Sequence, residues 1–331
     1  MLAADRAFDD LLAARIRPLA ARFLAVADIG QWLLRKGLLG QPVPPPAAEV
    51  PRASARGAAA VRHHYDLSDD FYRLMLGPSM VYSCAVWKSP AQPIDLEAAQ
   101  LAKLDRICQR LELRPGMRLL DIGCGWGALA VHAAAHYGVD VVGVTLARNQ
   151  VAYGQELAER AGVADRVEFR LSDFRDVTDG PFDAVSSIEM TFHLDVRGRE
   201  HHARAVYDLV RPGGRLFCHE ITASPRGRVF QRFSGFIPAY IFPEIDVPTR
   251  DAAIGCLESA GFEIASIENL RTHFAASHRA WLRNIEENWA AIVAAVGEQR
   301  ARAWRLFAAM SVVSCDIDNI GVIHTVAHRR A

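Results

Sequence analysis

The chain has 331 residues, of which 51% are hydrophobic and 23% charged, with 38 basic residues balancing 38 acidic ones. That composition supports a sizeable globular core, and zero net charge argues against the basic stripe of a nucleic-acid binder, so no nucleic-acid partner is expected. Six cysteines, at 84, 108, 124, 218, 256 and 315, contain no C-x-x-C pair, so neither a metal site nor a disulfide framework is indicated.

Residues 1–60 read as a helical extension and linker. Leu11, Leu12, Ile16, Leu19, Phe23 and Leu24 recur at helical spacing, and Gln41 to Ala60 is rich in Pro and Ala. The apolar stripe either packs on a core or meets a partner or a membrane surface. Asp5, Asp9 and Asp10 stand where a secretory signal would begin with basic residues, and no 18-residue apolar run follows. The expected location is cytoplasmic, with peripheral contact at the inner face of the membrane left open. Only three lysines, against many arginines and alanines, hint at a GC-rich bacterial genome.

Residues 61–331 form the second unit. Strand patterns at 118–123, 139–145, 167–171, 182–188 and 215–221 alternate with helices starting near 126, 147 and 200, which predicts an α/β fold with a doubly wound parallel sheet. Residues 222–258 break the rhythm with prolines and aromatics and predict a lid or substrate cover after the fifth strand. Phe262–Ile267 and Gly321–Ala327 supply two last strands around a helical stretch at 279–309, for seven in all.

The most informative segment is RLLDIGCGWGA, residues 118–128. Gly123, Gly125 and Gly127 at a strand-to-helix turn allow the backbone to pass close to a ligand, although a plain tight turn would use the same residues. A dinucleotide fingerprint would read G-x-G-x-x-G with an acid about 20 residues on, and Val139–Thr145 runs into Leu146 instead. Asp121 at the strand tip suits a ligand bearing a sulfonium and an ammonium, which points to S-adenosylmethionine.

The segments RHHYDLSDDFYRLMLGPSMVYSCAVW (62–87), LLDIGCGWG (119–127), GVTLARNQ (143–150) and YIFPEIDVP (240–248) together resemble the cyclopropane-fatty-acyl-phospholipid synthase family, S-adenosylmethionine-dependent methyltransferases that include the mycolic acid cyclopropane synthases. The resemblance implies a Rossmann-like seven-stranded methyltransferase sheet. It implies that Tyr82, Ser83, Gly123 and Gly125 contact the methionine part of the cofactor, that Thr145, Leu146 and Gln150 hold the ribose, and that Asp173 and Phe174 flank the adenine. Core packing is the other reading of Phe174. Tyr65 is expected near the mouth of the site.

The family's bound bicarbonate, held by a Cys, a Glu, a His, an Ile backbone and a Tyr, maps unevenly. Cys84, His219 and Ile221 match, whereas Phe192 stands at the glutamate position and Leu282 at the tyrosine position. Bicarbonate is therefore doubtful as a cofactor, because a buried anion needs partners. Glu189 and His193, four apart, would share one face of a helical turn and could act together as a general base. Alternatively Glu189 caps a helix and His193 is a satisfied, partly buried residue. Ser187-Ile188-Glu189-Met190 and Trp281-Leu282 also resemble the coclaurine-type N-methyltransferases. The expected acceptor is an unsaturated fatty acyl chain, with a hydrophobic small-molecule amine as the rival and a cofactor-binding accessory subunit as the non-enzyme alternative.

Overall fold

The computed structural model describes residues 68–91, 95–224, 236–242 and 245–331. The extension and linker at 1–60, and Tyr65, lie outside the described residues. Seven strands form one sheet: β1 (Arg118–Ile122), β2 (Asp140–Thr145), β3 (Val167–Leu171), β4 (Phe182–Ile188), β5 (Val210–Ala223), β6 (Glu263–Asn269) and β7 (Ile320–His328), in the order β3-β2-β1-β4-β5-β7-β6.

The helices, in chain order, are α1 (Asp69–Leu76), α2 (Leu96–Arg110), α3 (Ala128–Tyr137), α4 (Arg148–Arg160), α5 (Val196–Leu209), α6 (Phe236–Tyr240), α7 (Arg250–Ala260), α8 (Arg271–Glu287), α9 (Trp289–Val296) and α10 (Glu298–Asp316). Polar caps start several of them: Ser68 accepts from the Phe71 amide, Asp95 from Ala98 and Asp195 from Gly198.

Successive strand residues feed opposite layers, as a period of two requires. Leu119 and Phe217 pack with Leu104, Ile107, Leu129 and Ala133 of α2 and α3. Leu120 and Leu216 pack instead with Val206 of α5 and Leu257 of α7.

The parallel pairing expected of the first five strands is present, and the last two strands depart from it. The sheet is mixed: β1 to β5 pair in parallel, but β7 runs antiparallel to both β5 and β6. The helical block α8 to α10 leaves and re-enters the sheet at the same end, where Asn269 pairs with Ile323, so the strand restarted there must run backwards. Parts of the expected cover at 222–258 lie in regular elements, and residues 225–235, 243 and 244 of it lie outside the described residues. Residues 222–223 finish β5, and residues 250–258 lie in α7, whose Ala253 and Leu257 form an i,i+4 apolar stripe packed on the core.

The block α8 to α10 holds α1 in place. Asn284 and Asn288 donate side-chain hydrogen bonds to the Met75 and Leu74 carbonyls, and Trp304 packs on Phe71 with ring centroids 5.0 Å apart. The main cleft opens at the carboxyl ends of β1, β2 and β4, where the strand order reverses direction, which is the general ligand site of open α/β sheets.

Candidate active site

The turn after β1 builds one wall of the cleft. Gly123, Gly125 and Gly127 have φ of 74°, 54° and 88°, in the left-handed region that favours glycine. Their tasks differ. A Cβ on Gly125 would meet nothing within 4 Å, which leaves the space in front of it open to a ligand. One on Gly127 would lie 2.5 Å from the Phe169 ring, so the third glycine serves helix-to-sheet packing rather than a ligand. Asp69 of α1 accepts from the Trp126 indole and the Asn149 amide, both at 3.0 Å, tying α1 to this turn and to the start of α4.

The sequence-derived binding residues converge on this cleft: Tyr82, Ser83, Asp121, Gly123, Gly125, Thr145, Leu146, Gln150, Asp173 and Phe174 all line it. Asp121 is buried, accepts from Ser186 Oγ at 2.7 Å, and has its carboxyl pushed up to about 6 by burial. Thr145 Oγ1 donates to Gln150 Oε1 at 2.5 Å, which fixes the first turn of α4 against the tip of β2. Asp173 caps the short 3-10 turn Phe174–Asp176 and pairs with Arg175 at 2.6 Å. Phe174 does both jobs considered for it, lining the cleft while its ring meets His202 edge-on at 5.1 Å within the core.

Lys103 is the residue that sequence reasoning missed. Its side chain is buried, and its Nζ donates to Ser83 Oγ at 2.8 Å. One turn earlier on α2, Gln100 donates to the Val81 and Ser83 carbonyls. The two side chains position the Tyr82–Cys84 stretch. Burial drives the lysine down to about 8, opposed chiefly by the negative field of Glu189. The available signal was a lysine on the apolar face of a helix, in line with Gln100, Leu104 and Ile107.

Glu189 lies at the other side of the cleft. It follows the last residue of β4 with φ of 46°, and its amide donates to the His219 carbonyl at 2.7 Å. Its Oε1 accepts from the Cys84 amide at 2.8 Å and lies 3.1 Å from His219 Nε2, and His324 Nε2 lies 3.0 Å from His219 Nδ1. Burial pushes both imidazoles well below the usual histidine range, so they are neutral, and His219 makes a hydrogen bond rather than an ion pair. Burial also raises Glu189 to about 7, against the lowering effects of the Cys84 amide and Lys103. Cys84 is a buried thiol held well above its ordinary range by burial and by Glu189, which favours the protonated form.

The expected Glu189–His193 pair is therefore replaced by a Glu189–His219–His324 chain. The left-handed backbone at Glu189 ends the strand, and the next 3-10 turn starts only at Thr191, so positions 189 and 193 do not share a helical face. His193 lines the cleft and stacks against Phe192 at 4.0 Å.

Phe192 faces a second cavity, lined mainly by apolar side chains including Ile221, Phe242, Phe274, Phe307 and Met310. Adjacent residues of one turn thus face different spaces: His193 the cleft, Phe192 the apolar cavity. Asp246 fastens the stretch before α7 here, since its amide donates to the Phe192 carbonyl and its carboxylate takes the buried Arg199 guanidinium at 2.9 Å. Leu282 is buried in α8. Among the described residues no cluster of His, Cys, Asp and Glu could hold a metal ion, and no helix is long and apolar enough to cross a membrane.

A model of the mycolic acid cyclopropane synthetase family matches residues 52–325. The chain belongs to that family. Its members are S-adenosylmethionine-dependent methyltransferases, and the seven-stranded sheet is the fold of its solved relatives. A probable fatty acid methyltransferase of Mycobacterium tuberculosis is 38% identical over 294 residues, covering 86% of this chain and 68% of its own length. Sphingolipid C9-methyltransferase 1 of Gibberella zeae is 36% identical over 258 residues, covering 76% of this chain; the chain spans 50% of that protein. The crystal structure of mycolic acid cyclopropane synthase CmaA1 with SAH and CTAB has a TM-score of 0.76 at 30% identity, covering 82% of this chain and 97% of that one.

The residues present fit the family's cofactor. The open space at Gly125 admits a ligand beside the backbone, and the buried Asp121 places a carboxylate in the same cleft. Bicarbonate fits poorly. Two of the groups the resemblance gives it, the Cys84 stretch and His219, already bind the Glu189 carboxylate.

Proposed function

We propose that this methyltransferase acts on an unsaturated fatty acyl chain, with Glu189 as the proton acceptor and no bound bicarbonate. The observation that carries this reading is the apolar cavity beyond Phe192, which adjoins the cofactor cleft across the His193–Phe192 turn. An aliphatic chain suits its walls. When bound, S-adenosylmethionine supplies an electrophilic methyl group on a sulfonium.

The protein's part is to bind, align and take away a proton. Tyr82, Ser83, Asp121, Gly123 and Gly125 would hold the methionine end, Thr145, Leu146 and Gln150 the ribose, and Asp173 and Phe174 the adenine. Methyl addition to an alkene leaves a cation on the acceptor carbon, and loss of a proton from that cation gives a ring or a branched alkene. Glu189, with a carboxyl near 7, is able to accept the proton at neutral pH. The neutral His219 imidazole donates from Nε2 to the carboxylate, and His324 donates to His219 Nδ1, which orients the pair without adding charge. Lys103 supplies the nearby positive charge that keeps Glu189 from rising further.

The test is transfer from S-adenosylmethionine with a deuterated methyl group to mixed lipids and amines, read by mass spectrometry. Label in unsaturated acyl chains is expected. Label confined to nitrogen would replace this reading with the N-methyltransferase one, and cofactor binding without transfer to either would favour an accessory subunit.

A further inference from the structure

The apolar cavity is not lined by hydrocarbon alone. Four polar side chains border it: His278 of α8, Ser311 and Ser314 of α10, and Asn319 just before β7. His278 and Asn319 are each 3% exposed, and His278 Nδ1 and Asn319 Nδ2 lack hydrogen-bond partners among the described residues. The His278 ring is enclosed by Phe274, Trp281 and Phe307, so it has packing partners and no polar one at Nδ1. Ser311 and Ser314, three apart, face the cavity from one side of α10.

A slot for plain hydrocarbon has no use for these groups, because each buried polar atom left unpaired opposes folding. Leucine or phenylalanine at the same positions would avoid that cost. The asparagine Nδ2 only donates, and the serine hydroxyls donate or accept. The complement of this set is an oxygen with lone pairs. Burial holds His278 neutral, so no ionic partner is implied.

We propose that the second cavity recognises a lipid chain bearing an oxygen acceptor, seated among His278, Ser311, Ser314 and Asn319, and that this oxygen decides which chains bind. The proposal rests on the acyl reading above and deepens it. The shared chemistry is an oxygen lone pair, supplied either by the carbonyl of the acyl group or by a hydroxyl further along the chain. A site built to pair such an oxygen discriminates strongly against the analogue that lacks it.

The experiment measures equilibrium binding to the full chain, in one detergent, of three probes: 9-octadecene, methyl oleate and the methyl ester of 12-hydroxyoleate. Binding is followed by calorimetry, so the result does not depend on methyl transfer. Failure of catalysis and failure of oxygen recognition are thereby distinguishable. At least one oxygenated probe should bind ~10-fold or more tightly than octadecene, a difference of about 1.4 kcal/mol. A gain already present in methyl oleate assigns the oxygen to the carbonyl, and a gain only in the hydroxylated ester assigns it to the chain. Asn319→Leu should abolish that gain, so that no oxygenated probe binds more tightly than octadecene to the variant, and His278→Phe should reduce it. Equal affinity for all three probes in the unaltered protein would overturn the proposal, whether or not the variants fold.

Discussion

Replacing Glu189 by glutamine should stabilise the fold while disabling the enzyme. Its carboxyl moves from an ordinary 4.5 to about 7 because burial disfavours the ionised form. A group whose folded value is raised gives stability that is complete below its unfolded value and lost as pH rises through the folded one. Ionising Glu189 in place therefore costs up to ~3 kcal/mol well above pH 7, at ~1.4 kcal/mol per pH unit. The side chain is 11% exposed, towards the cleft, which makes that figure an upper bound. Glutamine removes the charge and still offers an oxygen to the Cys84 amide. Between pH 5.5 and pH 8 the stability advantage of Glu189→Gln should grow by ~2 kcal/mol on the same linkage, or roughly 4–8 °C in melting temperature for a domain of this size. Thermal and urea unfolding at both pH values measure it, and turnover should drop ~10²-fold or more. An advantage that stays flat or shrinks as pH rises would refute the assignment of a strained, buried charge. Full turnover in the folded variant would remove Glu189 as the base.

Further outcomes follow from other parts of the cleft. S-Adenosylhomocysteine should raise the melting temperature and NAD should not, since a ligand at 100 times its dissociation constant adds ~2.7 kcal/mol; Gly125→Val should lose that shift by filling the open space, with unchanged circular dichroism showing that it still folds. Gly127→Ala should instead cost ~1–3 kcal/mol of stability, measured by urea unfolding, because its Cβ would lie 2.5 Å from Phe169, and Phe169→Leu should restore part of it. Rigorous removal of bicarbonate should leave turnover unchanged; a large and reversible loss would mean that the anion binds despite the Glu189 carboxylate on its donors.

Legibility in the sequence followed periodicity. The first four strands stand within a residue of their expected bounds, since alternating apolar residues between turn signals report local geometry directly. The direction of β7 was hidden because nothing local to Gly321–Ala327 records where the preceding helices leave the chain. That the proposed binding residues would converge on one cleft was readable because most of them sit at strand ends in contiguous motifs. Glu189 was found with the wrong partner: its i,i+4 spacing to His193 assumed a helix that the left-handed Glu189 backbone prevents. His219 and His324 meet only through the cross-strand register of β5 and β7, a separation of 105 residues that no spacing rule recovers. Lys103 shows the reverse case, a polar residue in an apolar stripe that was visible and unused.

The turn at Phe192 and His193 also separates two sets of structural elements. The cofactor cleft is made from the ends of β1, β2 and β4 with the loops that follow them, the loop after β3, the Met80–Ser83 stretch and one edge of α2, whereas the apolar cavity is made largely from α6, α8, α10 and the segment around Ile245. Substitutions in the second set alter the shape of the apolar cavity without touching Gly125, Asp121 or Gln150. On the proposed acyl reading, substitutions at Ser311, Ser314 or Phe307 would change which chains fit while leaving the residues around the cofactor cleft as they are.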